Sequence, residues 1–432
     1  MVDLEFPYHP EIALYIHIPF CTSRCRYCNF YFETGWSPRV MERTLDGIVH
    51  EARSYVENGL LDATSLRTIY LGGGTPSTIP PALFDRFLTN LFQVLSGPRS
   101  LEEFCIEVNP ESVTTELLEV LSSHDVDRIS LGIQTFDTDF LHLLGRRATG
   151  SIIDTSLETL ATHWPGELNL DFITGIPGQT PTQVIKDLRR ALTWNPQHFS
   201  LYSLTVEEKT PLEQLTRLGP THGGVNPVSQ GMYEDDWLTG RDFLKSRGYD
   251  HYEISNFARP GMESAHNRRY WNLRPYLGLG PGAVSTLWTH QGPVRLTNPS
   301  IFAYSPPSKP WNSYQRTIEN PSPREWLSDL LLTSTRTREG IGQSIVDSDL
   351  ARVSGLDPWS LITLAIQETL DPGWTQSAPD FWALEDDSRM IQDNYLVSLE
   401  LAIDKIVQRT NTELAYQRLT GGESDRKLKS IR

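Results

Sequence analysis

The sequence has little cysteine, no long apolar run and no surplus of positive charge, and each shortage removes a class of protein. Four cysteines in 432 residues are too few for a disulfide scaffold. No stretch reaches the ~18 consecutive apolar residues that span a bilayer, and the uncharged region Thr68 to Phe84 is interrupted by Gly and Pro. No integral membrane segment is expected, and any membrane contact is peripheral. Lys and Arg number 38 against 54 Asp and Glu, a formal charge of −16, so no basic footprint points to nucleic acid as a partner. The first 23 residues lack Lys and Arg and carry Asp3, Glu5 and Glu11, the wrong pattern for a secretory or transit peptide. The expectation is a cytoplasmic protein with two or three domains, or one barrel with an appendage.

What is present is an alternation of short β-rich runs and stretches with helical spacing. The runs are Ala13–Ile18, Thr68–Leu71, Phe104–Val108, Arg128–Leu131, Leu168–Phe172 and His198–Leu204. Strand then helix, six times, predicts an α/β fold with a parallel sheet: a partial (β/α)6 barrel with its functional groups on loops at the C-terminal strand ends. Between the first two runs, Val40, Met41, Leu45, Ile48, Val49, Ala52 and Val56 form a helical stripe from Pro38 to Asn58, with Ser37 as N-cap and Gly59 as stop. Strand ends run into Pro19-Phe20-Cys21, Gly72-Gly73-Gly74-Thr75-Pro76, Asn109-Pro110-Glu111, Gly132-Ile133-Gln134 and Gly175-Ile176-Pro177-Gly178-Gln179. Five such turns on one rim suggest a shared site, although Gly and Pro also merely punctuate strand ends. The expected division is residues 1–250 as barrel, 251–320 as an irregular connector rich in proline around Ser305–Pro310, and 321–432 as a mainly helical domain. That last domain has apolar periodicity in Trp326–Leu332, Leu350–Val353, Pro358–Leu370 and Leu396–Val407, then a polar tail.

Cys21, Cys25 and Cys28 fall within eight residues, whereas Cys105 lies in a strand run and reads as a buried small hydrophobe. Three clustered thiolates in a reducing compartment point to metal. Zinc takes four protein ligands at a structural site, with His17 the nearest other donor in sequence. An iron–sulfur cube held by three thiolates leaves one iron open to an exogenous ligand. The spacing alone leaves both readings open. The Gly73-Gly74-Thr75 turn permits close backbone approach to a ligand but lacks the following Gly-Lys-Ser/Thr of a phosphate-binding loop.

Cys21-x3-Cys25-x2-Cys28, with an aromatic before the last Cys, resembles the signature of the radical S-adenosylmethionine (SAM) superfamily. The resemblance implies a [4Fe-4S] cluster held by the three cysteines, whose open iron chelates SAM, and reductive cleavage of SAM to a 5′-deoxyadenosyl radical. The run Tyr15-Ile16-His17-Ile18-Pro19-Phe20-Cys21, the glycine turn, Glu107-Val108-Asn109-Pro110-Glu111 and Arg128 to Phe136 resemble the oxygen-independent coproporphyrinogen III oxidase group. So do Leu170 to Thr180 and Ser200 to Thr205, and Arg336 to Ile341 is similar to that group's C-terminal domain. By resemblance Tyr15, Gly73, Gly74, Thr75, Glu107, Gln134, Arg146 and Asp171 fall at SAM contacts, and Tyr27 is a cluster-packing aromatic or a contact to a second SAM. On their own residues, Glu107 and Asp171 could equally be helix caps, and Arg146 a solvated helix charge.

Two departures separate the chain from the oxidases: Phe30 stands where they carry a fourth Cys, and only about a dozen residues precede the first strand. Both resemble the HemW-type haem chaperones, as does His266-Asn267-Arg268-Arg269-Tyr270-Trp271, which matches a His-Asn-x-x-Tyr-Trp motif of that branch. An imidazole can ligate haem iron through one nitrogen while the other is oriented by a neighbour, and Tyr and Trp offer flat apolar surface. A histidine among aromatics is also a common structural residue. The resemblance implies a radical-SAM haem chaperone with haem as cargo, His266 as haem-proximal residue, a haem-recipient protein as partner and a reductant such as flavodoxin or ferredoxin. The alternative is an enzyme, the oxidative decarboxylase of coproporphyrinogen III.

Overall fold

The computed structural model describes residues 9, 11–96, 100–225, 230–290, 292–304, 316–349 and 357–420. Six parallel strands stand in sequential order: β1 (Ile12–Ile18), β2 (Leu66–Gly73), β3 (Glu103–Val108), β4 (Arg128–Gln134), β5 (Glu167–Thr174) and β6 (His198–Ser203). Between them run α1 (Pro38–Glu57), α2 (Pro81–Val94), α3 (Thr115–Ser123), α4 (Thr138–Leu143), α5 (Gly150–His163) and α6 (Pro181–Leu192). Strands rich in Ile, Leu and Val, buried along most of their length, are what a sheet covered by helices requires. The α1 cap is as expected: the Ser37 side chain accepts from Val40 N, and Pro38 opens the helix. Proline also opens α2, α6 and α7 (Pro211–Leu218).

Residues 251–320, expected as a connector with a proline-rich irregular stretch towards its end, carry regular elements. The chain passes through α8 (Gln230–Ser246), then β7 (Asp250–Glu253) and β8 (Asn256–Ala258) at one edge of the sheet. After α9 (Ala265–Trp271), β9 (Tyr276–Leu279) pairs parallel to β1, and β10 (Val284–Thr289), β11 (Gly292–Thr297) and β12 (Thr317–Glu319) follow antiparallel. The result is a 12-stranded sheet in the order β12-β11-β10-β9-β1-β2-β3-β4-β5-β6-β8-β7. These added strands are short and rich in polar residues, so periodicity did not reveal them.

One buried carboxylate ties this added layer to α1. Glu51, fully buried, accepts from Gly280 N at 2.9 Å, Asn298 Nδ2 at 2.9 Å and Tyr304 Oη at 2.7 Å, and pairs with Arg316. It sits inside the apolar stripe of α1, where pattern alone gives no reason for a charge.

The chain divides into two compact units: Met1–Tyr270 with Arg274–Asn320, and Trp271–Leu273 with Pro321–Arg432. The second unit holds α10 (Pro323–Ser334), α11 (Gln343–Asp349), α12 (Pro358–Thr369), α13 (Asp386–Arg389) and α14 (Gln392–Thr420). It also has a small sheet, in the order β13-β15-β14, of β13 (Ile341–Gly342), β14 (Trp374–Ala378) and β15 (Phe381–Leu384), which the helical expectation did not include. Ser305–Pro310, Leu350–Val353 and the tail beyond residue 420 lie outside the described residues. No helix among the described residues is long and apolar enough to cross a membrane.

Removing the Glu51 carboxylate leaves the Arg316 charge buried, which costs about 3–5 kcal/mol in comparable buried pairs. Glu51→Ala is expected to lower the thermal midpoint sharply and Glu51→Gln less so, read by circular dichroism; an unchanged midpoint in Glu51→Ala would show that the layer does not depend on this carboxylate.

Candidate functional site

A parallel sheet delivers every strand's C-terminal end to one rim, and there a cavity of about 580 Å³ opens. It is lined by Cys21, Cys25, Tyr27 and Cys28 from the loop after β1, and by Gly73, Gly74 and Thr75 after β2. Glu107 and Asn109 of the β3 end, Gln134 of β4, Arg146 beyond α4 and Asp171 of β5 complete the wall. Four of the five expected turns meet here. The fifth does not: Gly175 to Gln179 folds back, Ile176 N donating to Gln179 Oε1, and Ile176 packs in an apolar cluster with Leu144 and Leu204 against Tyr27. The end of β6, from Tyr202 to Thr205, takes its place in the lining.

The glycine turn is shaped as much by protein as by any ligand. A Cβ on Gly73, whose φ is +110°, would lie 2.7 Å from the His17 ring, and one on Gly74 would lie 2.8 Å from the Phe20 carbonyl oxygen. Gly74 N donates to Ile18 O and Thr75 N to Phe20 O, both at 2.8 Å. The turn therefore lies directly on the segment that carries Cys21. Gln134, a non-glycine residue at φ +68°, marks a break in the β4–β5 register between Gly132 and Gln134. Strain of this kind persists where the surroundings hold it.

A chain of polar contacts joins two of the cysteines around the wall. The Cys21 thiol lies 3.7 Å from Thr75 Oγ1, which accepts from Asn109 Nδ2 at 3.1 Å. Asn109 Oδ1 accepts from Arg146 Nη2 at 2.9 Å, which also donates to Gly132 O at 2.7 Å, and Arg146 Nη1 lies 3.9 Å from Cys25 Sγ. Arg146 is thus no solvated helix charge, being 9% exposed. Burial pushes the Cys21 thiol up to about 11 and raises that of Cys28, so these thiols become donors only when a cation replaces the proton. Among the described residues no three Cys, His, Asp or Glu side chains close on a single-ion site. Three thiols of one loop around an open cavity suit a cluster that keeps one metal position free for a second ligand.

The two carboxylates are held differently. Glu107 accepts from Tyr70 Oη at 2.9 Å and from Gly73 N at 3.3 Å; burial pushes its pKa up to about 7, the Tyr70 bond opposing and the Asp171 charge adding. Asp171 accepts from Asn169 Nδ2 at 2.7 Å and Ser130 Oγ at 2.9 Å, and burial raises its pKa as well. Neither caps a helix. Together they offer negative charge to a cationic or hydroxyl-bearing ligand.

Tyr15 and His266 are not in the lining. Tyr15 lies on β1 two residues before His17, roughly 7 Å further down the strand, and its hydroxyl lies 2.9 Å from His17 Nδ1. Since His17 Nε2 meets the Tyr31 carbonyl at 3.0 Å and must donate to it, Nδ1 accepts from Tyr15. Tyr15 therefore supports the imidazole on which Gly73 rests. His266, at the start of α9, is 2% exposed; its Nδ1 lies 2.9 Å from Thr68 Oγ1, its ring stacks on Tyr70 at 5.0 Å, and its Nε2 has no hydrogen-bond partner. Burial, with Arg269 adding, lowers its pKa to about 3. Cys105 is buried in β3 away from the other thiols. Sequence reasoning assigned no role to Asn109, Tyr70, Ser130 or Asn169; the strand alternation that puts Asn169 on the face of Asp171 was the available signal.

Comparison with known proteins agrees with this geometry. Residues 15–191 match the Radical SAM superfamily. The chain is 36% identical over 288 residues to "Heme chaperone HemW" of Lactococcus lactis subsp. lactis (strain IL1403), covering 65% of this chain and 72% of that one. This chain belongs to the HemW family of radical SAM proteins. The protein of the same description from Bacillus subtilis (strain 168) is 34% identical, with 66% and 74% covered. "Radical S-adenosyl methionine domain-containing protein 1, mitochondrial" of Bos taurus is 31% identical, with 78% and 70% covered. Among solved structures, the coproporphyrinogen III oxidase HemN from Escherichia coli superposes with a TM-score of 0.69 over 91% of each chain at 20% identity, which establishes a common fold. Membership of the radical SAM superfamily implies a [4Fe-4S] cluster and SAM, and the HemW-type pocket has the donors for both: three thiols at its mouth and two carboxylates below.

Because Glu107 holds its proton from the ordinary carboxyl range near 4.5 up to about 7, the folded chain binds more protons than the unfolded one in that window, and stability falls as pH rises through it. Glu107→Gln removes this dependence. The thermal midpoint of the variant minus that of the parent is expected to increase from pH 5 to pH 8; a difference independent of pH would contradict the raised pKa.

Proposed function

We propose that the chain is a haem chaperone that binds haem and hands it to a recipient protein, with Cys21, Cys25 and Cys28 holding the cluster and the surrounding pocket holding SAM. The observation that carries the reading is the family match across the barrel together with Phe30, which occupies the place of the oxidases' fourth Cys. Phe30 is 76% exposed and lines the pocket mouth, so this position supplies an apolar ring in place of a thiol. When bound, the cluster supplies one-electron chemistry to SAM. The chain's own part is to position: Arg146 and Asn109 fix the wall between Cys25 and Thr75, Gln134 and the glycine turn shape the cavity, and Glu107 and Asp171 meet the polar groups of SAM. Tyr27, packed against the Leu144 and Ile176 cluster, steadies the cluster loop. The electron comes from a reductant such as flavodoxin or ferredoxin.

Haem contact is assigned to His266. Its chemistry suits the role, because the ring is neutral, Nδ1 is engaged by Thr68 and Nε2 is unpartnered. Its burial sets a condition: iron reaches Nε2 only when α9 shifts outward.

Anaerobic incubation of cluster-loaded, reduced protein with SAM and coproporphyrinogen III is expected to give no protoporphyrinogen, beside a known oxidase as positive control. Many turnovers per chain would overturn the chaperone reading. Cys21→Ala is expected to lose most bound iron after reconstitution, and His266→Ala to weaken haem binding or alter its absorption spectrum; an unchanged spectrum and affinity would remove His266 from the proposal.

A further inference from the structure

The start of α9 is bound to the pocket by two routes. A polar chamber of about 60 Å³, room for about two water molecules, is lined by Ser264 and Asn267 and also by Glu107 and Asp171, the carboxylates of the pocket above. The first route is a continuous chain of hydrogen bonds. Ser264 N donates to Tyr252 Oη at 3.2 Å, Tyr252 Oη to His198 Nε2 at 2.8 Å, His198 Nδ1 to Asn169 Oδ1 at 2.7 Å, and Asn169 Nδ2 to Asp171 Oδ1 at 2.7 Å. Every donor points the same way. A carboxylate only accepts, so Asn169 must turn its amide nitrogen to Asp171 and its oxygen to His198, which fixes the imidazole tautomer and leaves Nε2 to accept from Tyr252. The β5–β6 register builds this in, setting Asn169 beside His198 and Asp171 beside Ser200. The second route is a stack: His266 lies on the Tyr70 ring, and the Tyr70 hydroxyl donates to Glu107.

The end of α9 is itself firmly held. Glu103 accepts from Ser264 Oγ, Ala265 N and His266 N, and Arg128 pairs with Glu103 at 3.1 Å. A rigid turn at one end and two carboxylates at the other give each route a fixed length.

We propose that the Ser264–Asn267 turn is a positioning element for ligand binding in the pocket, acting on Asp171 through Tyr252, His198 and Asn169, and on Glu107 through Tyr70. The inference rests on the reading that SAM occupies the pocket. It makes Tyr252, His198 and Asn169 positioning residues that touch neither SAM nor the cluster. It also couples the motif to the pocket: whatever displaces α9 loosens both carboxylates, and SAM held between them resists that displacement to the same degree.

The test is equilibrium binding of SAM to the anaerobically cluster-loaded full chain, with no haem present, in Tyr252→Phe, Asn169→Ala, their double variant, and Tyr70→Phe alone and with Tyr252→Phe. Tyr252→Phe and Asn169→Ala are each expected to weaken SAM about tenfold, and the double variant no more than about twofold beyond the weaker single, because both cut one chain. Tyr70→Phe is expected to multiply the effect of Tyr252→Phe, because it cuts the other route. A merely structural role would lower thermal midpoints without this pattern. Single variants within about twofold of the parent, or a Tyr252/Asn169 double variant that loses the product of its singles, would overturn the proposal; if the Asn169 variant fails to fold, the single variants Tyr252→Phe and Tyr70→Phe decide it, either one within about twofold of the parent overturning it. These results leave haem delivery untouched. A parent protein that binds no SAM would remove the pocket reading and this proposal together.

Discussion

Three ionisable side chains, Glu107, Arg146 and Asp171, stand around one cavity at the end of the sheet, and much of the architecture serves to keep each of them partnered. Charge in such a place is costly unless hydrogen bonds replace water. Arg146 finds Asn109 and the Gly132 carbonyl, Glu107 finds Tyr70 and the Gly73 amide, and Asp171 finds Asn169 and Ser130. Each partner needs its own support, which is why polar residues continue down the inner face of β5 and β6 to His198 and Tyr252. The polar interior is a consequence of the charges at the rim.

The same constraint explains why the parallel core is built as it is. Parallel strands in sequential order bring Cys21, Thr75, Asn109, Gln134 and Asp171 to one end although they span 150 residues of chain, without any of the intervening helices entering the cavity. The added strands β7 to β12 extend both edges and bring α9 beneath it, with Glu51 clamping one of these extensions to α1.

How much of this was legible depended on how local the signal was. The six parallel strands and α1 were readable because apolar runs, the Ser37 cap and Pro38 act over a few residues. The cysteine loop and glycine turn were readable as neighbours on one rim because each follows directly on the end of a strand. Asn169 and His198 were not, since a polar residue within a strand looks the same whether it faces water or a buried carboxylate, and only the register of distant strands decides between the two. His266 was singled out by its motif, but its burial under Tyr70 and Thr68 depends on pairing across almost 200 residues. β7 to β12 escaped because strands of three to six residues are too short to carry a usable period.

The loop that bears the three cysteines is tied down at many points that involve no metal. Cys21 N donates to Glu33 O and Glu33 N to Pro19 O, Trp36 Nε1 donates to Cys21 O, Arg26 N to Leu144 O, and Leu212 N to Arg26 O, while Tyr31 is fixed by His17 and Ile301. In small zinc domains the metal drives the folding of its own ligands, and its removal unfolds them. Here the ordering entropy of the loop is already met by protein contacts. Oxidative destruction of the cluster would then be an injury to the contents of the site and not to its walls, leaving a receptive mould that iron–sulfur assembly machinery can refill without refolding the chain.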